Sequence, residues 1–199
     1  MIRAVVFDLG EVLASPPSLL STLAFRIGTT ASQLDSLYWN DRDAYDAGAS
    51  AARYWTPIVE SVGRPKDAEQ LDELANLDAQ TWSELRPSAR QLLRDCRASG
   101  TTVAILSNSP HAMQIAADGA PWRDDVDHLF ISATMGLVKP DPEIYATVAE
   151  SLALGGSHIA FIDDKQKNID GARAAGWHTH LWVDDADTRA WLVGLGIVV

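Results

Sequence analysis

A single cysteine in 199 residues leaves no intramolecular disulfide to draw. Cys96 lies in "ARQLLRDCRASG" with apolar neighbours at helical spacing, and is expected as a small core residue rather than a reactive thiol. No charged n-region followed by an apolar h-region opens the chain, and the cytoplasm is the expected compartment. No apolar stretch approaches the roughly 18 residues of a membrane span, so no membrane partner is expected. Positive charge is scarce as well: 16 basic against 27 acidic residues give a net charge of -11. Such a field repels nucleic acid and anionic membrane surfaces, and neither is expected as a partner. It also opposes anionic metabolites, so a phosphate site here requires a bound cation or a local basic residue. The chain shows neither internal repeats nor low-complexity tracts. What is present, 47% hydrophobic and 22% charged residues, is the composition of a globular protein.

Five short β-like runs stand out: Ile2-Phe7, Thr102-Leu106, His128-Ser132, His158-Ile162 and His178-Val183. Helical patterns separate them. Residues 88–99 carry apolar positions at 3.6 spacing and stop at Gly100; residues 141–154 open with Asp141 and Pro142; residues 169–175 stop at Gly176. Strand and helix alternating in this way predict an α/β fold, with helices in layers on both faces of a parallel sheet. Between the first two strands, residues 15–85 show helical periodicity without a convincing strand, opened by "ASPPS" and closed by "LRPS". This reads as an α-helical cap (15–85) inserted into a Rossmann-like core (1–14 and 86–199). The acidic clusters "RDDVD" and "VDDADT" are of the kind that open helices or turns.

"AVVFDLGEVL" ends a buried-strand pattern on Asp8, at the rim where ligands bind in open α/β sheets. Three further stretches fall on that rim: "VAILSNS", ending on Ser107-Asn108; "GLVKPDPEIY", which sets Lys139 just before a helix; and "IAFIDDKQKNIDGA", which ends a strand on Asp163-Asp164. Taken singly, each has a structural explanation as a turn, a solvated cation or a helix opener. Together they have a chemical logic. An Asp nucleophile needs a phosphorus electrophile whose charge has been neutralised. A Mg²⁺ held by carboxylates, Lys139, the Ser107 hydroxyl and nearby backbone N–H groups supply that neutralisation.

These four stretches, in this order and across nearly the whole chain, resemble the motifs of the haloacid dehalogenase-like superfamily. They look most like its phosphatase branch with a helical cap, where sugar-1-phosphate phosphatases and the phosphatase domain of epoxide hydrolases are found. The resemblance implies a Mg²⁺-dependent phosphomonoesterase acting on a small phosphorylated metabolite through an aspartyl-phosphate. Asp8 would then be the nucleophile, Ser107 and Asn108 would hold the phosphoryl group, and Lys139 would offset charge. Asp8, the Gly10 carbonyl, Asp163 and Asp164 would surround Mg²⁺, and Asn168 would orient the last loop. Family phosphatases carry a second Asp two positions after the nucleophile, where it protonates the leaving group; this chain has Gly10. Glu11 is the nearest replacement. The same gap occurs in the superfamily's 2-haloacid dehalogenases, which leaves reaction at carbon as an alternative, and a phosphate-binding protein without turnover as another. Two adjacent carboxylates repel each other without a cation, which favours phosphate.

In the cap, Trp39, Arg42, Tyr45, Arg53, Tyr54 and Trp55 could grip a substrate or simply pack; Arg42 and Tyr45, beside "DAG", are the expected contacts. His178 and His180 share a strand face but lack a third ligand, and are expected at the surface or packed on the sheet. The apolar tail "WLVGLGIVV" is expected to cover the sheet or to pair with another subunit, so the protein is expected as a monomer or homodimer.

Overall fold

A computed structural model describes residues 1–198. Five parallel strands, β1 (Ala4–Phe7), β2 (Thr102–Ser107), β3 (His128–Ile131), β4 (Ile159–Asp163) and β5 (His178–Leu181), form one sheet in the order β3-β2-β1-β4-β5. The centre of the sheet is β1, whose residues "AVVF" are all buried because helices cover both faces. The strand runs seen in the sequence are therefore real, with shifted ends: β2 runs one residue further, to Ser107, and β4 starts at Ile159. Residues 2 and 3 precede β1, Ser132 already belongs to a helix, and β5 ends at Leu181 rather than Val183.

Between β1 and β2 lie five helices: α1 (Leu19–Ile27), α2 (Ala31–Asn40), α3 (Arg42–Asp46), α4 (Ala51–Ser61) and α5 (Ala68–Trp82). Their starts are written locally. Thr30, Ser50 and Asp67 are N-caps whose side chains accept from the backbone N–H of Gln33, Arg53 and Gln70, satisfying donors that a helix leaves unpaired. The chain leaves and re-enters the core at adjacent points: Arg86 N–H donates to the Leu13 carbonyl at 3.0 Å. Apolar residues of the helical segment and of the sheet join in one cluster. Leu23, Tyr38, Trp55 and Leu74 belong to the same apolar cluster as Val5, Phe7 and Ile105 of the sheet.

After α5 come α6 (Pro87–Ala98), α7 (His111–Asp118), α8 (Ser132–Met135), α9 (Pro142–Ser151), α10 (Gln166–Ala174) and α11 (Asp185–Gly194). Cys96 is buried in α6, and burial pushes its thiol up to about 12. "VDDADT" opens α11: Asp184 accepts from Asp187 N–H at 2.8 Å. "RDDVD" forms a 3-10 turn over Arg123–Asp125. The tail folds back through Leu192 and Ile197, which enter the main apolar cluster as α11 packs on α6; Val199 lies outside the described residues. His180 stacks on Trp191 with ring centroids 4.8 Å apart. Among the described residues, no helix is long and apolar enough to cross a membrane.

Candidate active site

Parallel register builds the site. Phe7 is level with Ile105 of β2 and Ile162 of β4, so the next residues, Asp8, Leu106 and Asp163, stand side by side at the carboxyl rim. The Lys139 ammonium closes this row. It lies 2.9 Å from Asp8 Oδ1, and donates to Asp163 Oδ2 at 2.7 Å and to the Leu106 carbonyl at 2.8 Å. Lys139 sits in the loop between α8 and α9, and Asn108 fixes that loop in both directions. Asn108 Nδ2 donates to the Lys139 carbonyl at 2.9 Å, and its Oδ1 accepts from Lys139 N–H at 2.8 Å. Helix α10 approaches from behind. A Cβ on Gly171 would stand 2.9 Å from the Tyr145 ring and 3.0 Å from the Pro140 carbonyl, so only glycine fits without displacement.

Asp163 is saturated by donors. Its Oδ1 accepts from Lys165 N–H at 2.8 Å and from Asn168 Nδ2 at 2.9 Å, and its Oδ2 accepts from Lys139 and, at 3.0 Å, from Asn168. Asp8 offers Oδ1 to Leu9 N–H at 2.7 Å and to Lys139. Asp164 Oδ1 is buried with no partner among the described residues. One carboxylate oxygen from each of Asp8, Asp163 and Asp164 lies within 4.8 Å of the others. A hard divalent cation with oxygen ligands fits this group: it would satisfy the orphaned Asp164 oxygen and relieve the repulsion of three acids that one ammonium leaves undercompensated.

The same crowding sets the protonation of the metal-free site. Burial, opposed by Lys139 and reinforced by Asp163, pushes the Asp8 carboxyl up to about 7. Burial and the Asp163 charge also raise Asp164. Burial works against the charge on Lys139, but Asp8 and Asp163 outweigh it and hold the ammonium above its ordinary value.

Ser107 Oγ lies 2.6 Å from Ser109 Oγ. Ser109 N–H donates to Ser132 Oγ at 2.8 Å, and that hydroxyl donates to the Asp46 carbonyl at 2.5 Å. The helical segment is thereby pinned, at the end of α3, to the loop that follows β2. Above the rim is a cavity of about 420 Å³ that brings together Asp8, Gly10, Glu11, Arg42, Ser107, Asn108, Lys139, Asp164 and Asn168; Asp163 lies beneath it.

Two cap residues do not sit as the sequence suggests. Tyr45 does not line the cavity; it is 2% exposed and stacks on Tyr54, with centroids 4.2 Å apart. Arg42 lines the cavity, but its guanidinium is already engaged by Asp46 at 2.8 Å, by Asp78 at 3.0 Å and by the Tyr38 hydroxyl. Tyr54 and Trp55 are core, whereas Trp39 is 50% exposed at the cavity. Glu11 adopts a positive φ of 61° and its Oε2 accepts from Ser15 Oγ at 2.7 Å, which engages one oxygen of the nearest replacement acid.

Trp82, Asp46, Ser109 and Ser132 escape sequence reasoning. Trp82 reads as one more apolar position of α5, yet its Cζ3 would lie 3.6 Å from a Cβ on Gly10. Its indole N–H donates to the Tyr38 hydroxyl at 2.9 Å. No local pattern joins these residues, since the contact spans the whole helical insertion.

Comparison with known proteins decides the family. The haloacid dehalogenase-like hydrolases match residues 2–176. The chain belongs to that hydrolase family. A sesquiterpene phosphatase of Aspergillus oryzae is 35% identical over 179 residues, covering 87% of this chain and 86% of that protein. A phosphatase of Mycobacterium tuberculosis is 33% identical over 122 residues, 59% of this chain, and the matched stretch spans about half (55%) of that protein. An (S)-2-haloacid dehalogenase of Burkholderia cepacia is 26% identical, over 89% of this chain and 81% of its own length. Among solved structures, a family enzyme of Bacteroides thetaiotaomicron in complex with magnesium and inorganic phosphate superposes with a TM-score of 0.66 at 22% identity, over 90% of this chain and 93% of that one. The L-2-haloacid dehalogenase of Xanthobacter autotrophicus superposes with a TM-score of 0.73 at 22% identity, over 98% of this chain and 84% of that one. At such identities these two structures share the fold.

Proposed function

We propose that this hydrolase is a Mg²⁺-dependent phosphomonoesterase whose nucleophile is Asp8, acting on a small phosphorylated metabolite. The observation that carries the reading is Asp164: a buried carboxylate oxygen without a partner among the described residues, grouped with Asp8 and Asp163, is where a divalent cation would fit. Attack at a haloalkyl carbon gives that oxygen nothing to do. The sesquiterpene phosphatase, 35% identical over 87% of this chain against 26% for the Burkholderia cepacia dehalogenase over 89%, supports the same choice.

In the proposed reaction, an Asp8 carboxylate oxygen forms a bond to phosphorus as the phosphorus–oxygen bond to the leaving alcohol breaks. Water then cleaves the aspartyl-phosphate at phosphorus and releases inorganic phosphate. Lys139 compensates the negative charge beside Asp8, and Ser107 and Asn108 hold phosphoryl oxygens at the ends of the same rim. A bound Mg²⁺ would supply charge neutralisation for the phosphoryl oxygens, held by Asp8, Asp164, the Gly10 carbonyl and, after loosening from Lys139, Asp163. The expectation of a sugar-1-phosphate substrate rests on resemblance alone.

The test is a panel of phosphate monoesters and 2-haloacids assayed with and without Mg²⁺. Hydrolysis of phosphate esters should vanish in excess chelator and return with Mg²⁺. Asp8→Asn should remove at least ~10³-fold of turnover while the protein still unfolds cooperatively. Turnover that persists in chelator, or preferential release of halide, would overturn the reading.

A further inference from the structure

The far wall of the cavity bears on the chemical class of the alcohol released. Asp8, Ser107, Asn108 and Lys139 occupy the rim of the sheet, so the ester's phosphate end is fixed there and the helical segment faces the leaving group. From that segment come two indoles, Trp39 and Trp82, and the core adds Leu9 and Met113. Trp82 spends its one polar hydrogen on Tyr38, at 2.9 Å, and turns its benzenoid Cζ3 edge toward Gly10. Trp39 packs edge-on against the same Tyr38, with centroids 4.7 Å apart, and yet remains 50% exposed. A large aromatic held in place beside a cavity but left half in water is surface that a ligand can cover.

Most of the charge that the helical segment presents to the cavity is already paired. Arg42 is the one cation that the helical segment contributes to the cavity, and Asp46 and Asp78 already compensate it, at 2.8 and 3.0 Å. The segment therefore keeps no unpaired cation there to receive a second phosphate or a carboxylate, and the remaining lysines of the cavity, Lys165 and Lys167, stand on the core side beside the loop of Asp163 and Asp164. Asp43 and Asp46 on the same wall oppose such groups directly. A cationic leaving group finds Asp46 already bonded to Arg42 and Glu11 to Ser15, which leaves Asp43 as the acid of this wall without an ion-pair partner among the described residues, and Lys165 and Lys167 across the cavity oppose such a group. Over the patch formed by the two indoles, the Met113 thioether and Leu9, a polyol's hydroxyls would lose water without replacement partners.

We propose, on the premise that the phosphatase reading holds, that the leaving group is an uncharged and predominantly apolar alcohol, aromatic or branched hydrocarbon, that covers Trp39 and Trp82. A cavity of about 420 Å³ lies within the range of small-molecule sites and admits such a group beside a phosphate.

The experiment compares four primary alkyl monoesters, each with Mg²⁺ and each in wild type and Trp39→Ala, so that differences in leaving-oxygen basicity cancel between the two proteins: cyclohexylmethyl phosphate, glucose-6-phosphate, phosphocholine and phosphoglycolate. Cyclohexylmethyl phosphate should exceed each of the others at least ~10-fold in kcat/KM. Trp39→Ala, at an exposed position that should not disturb folding, should shrink that preference to within about 3-fold, chiefly through KM. Thermal unfolding of the variant serves as the check on its fold. Preference for glucose-6-phosphate, phosphocholine or phosphoglycolate would overturn the assignment, as would a hydrocarbon preference that survives Trp39→Ala. If even p-nitrophenyl phosphate is not hydrolysed, the phosphatase reading fails by itself. The wall is then probed by calorimetry with non-hydrolysable methylenephosphonates of the same alcohols: tighter binding of the cyclohexyl compound supports it, and equal binding overturns it.

Discussion

Lys139 Nζ stands 2.9 Å from Asp8 and 2.7 Å from Asp163, so one ammonium joins carboxylates that extend from two neighbouring strands. All three side chains are nearly buried, at 1%, 10% and 0% exposure. Removing one member of such a group leaves the others as uncompensated buried charge. Lys139→Met should therefore destabilise the metal-free protein by about 3–5 kcal/mol in chemical denaturation. Mg²⁺ should restore more stability to the variant than it adds to the wild type, because the cation replaces the lost positive charge. A loss below about 1 kcal/mol would mean that the two acids are already neutral together.

Gly10 leads to a second expectation. With no carboxyl at that position, the departing oxygen leaves as an alkoxide or takes its proton from water, and rates should fall steeply as the alcohol's pKa rises. General acid catalysis is typically worth ~10²–10⁴-fold. Within a series of apolar esters, aryl phosphates should therefore outrun alkyl ones by a comparable factor. Gly10→Asp has room for its first carbon, 3.6 Å from Trp82, and should flatten the dependence. A wild-type profile that is already flat would point to Glu11 as the donor, and Glu11→Gln would then steepen it.

The Tyr38 hydroxyl is the shared partner of three buried groups. It accepts from Trp82 at 2.9 Å and from Arg42, and donates to Asp78 at 2.6 Å. Tyr38→Phe keeps the ring and strands those partners. It should cost about 1–3 kcal/mol in denaturant unfolding. The Trp82 emission should also shift, since its N–H loses its acceptor. A neutral substitution would show that Arg42 and Asp78 satisfy each other without it.

Asp46 gives stability a pH dependence. Burial pushes its carboxyl up to about 6, against the pull of Arg42, whose charge is shared with Asp78. The folded state thus holds a proton on Asp46 in a window, from about 4 to about 6, where the unfolded chain has released it. Folding binds a proton there, so this group's stabilisation is fully present below that window and is lost as pH rises through 6. Over the full window the change is on the order of 3 kcal/mol. The stability difference between wild type and Asp46→Asn, measured by denaturation at several pH values, should shrink from pH 4 to pH 6 and then level off. A difference that grows with pH would reverse the sign of the assignment.

The core is legible in the sequence because its signals are local. A run such as Ile2-Phe7 reports burial on both faces, Gly100 and Gly176 punctuate helix ends with positive φ of 82° and 80°, and charged residues at strand tips fall on one rim once the strands are parallel. Lys139 is readable for the same reason, as a lone basic residue in an acidic chain next to a helix start. The cap side is not, because its chemistry depends on which helices meet. Arg42 looks free in the sequence; only the approach of α5 delivers Asp78 to it, 36 residues away. Tyr45 looks like a substrate contact until α4 lays Tyr54 flat against it. Trp82 and Gly10 are 72 positions apart, and nothing short of the folded insertion shows that one fills space beside the other.

The apolar cluster that runs without a break from β1 into the helical insertion limits how the site can be opened. A segment that swung clear of the sheet would divide the cluster to which Leu23, Tyr38 and Leu74 belong together with Phe7 and Ile105, and would drag α5 off α7. The insertion and the sheet are thus one cooperative unit, and their slowest-exchanging amides should report a common opening free energy. Entry of an ester then calls for side-chain rotation at the half-exposed Trp39, a motion of picoseconds to nanoseconds, in place of a domain-scale hinge.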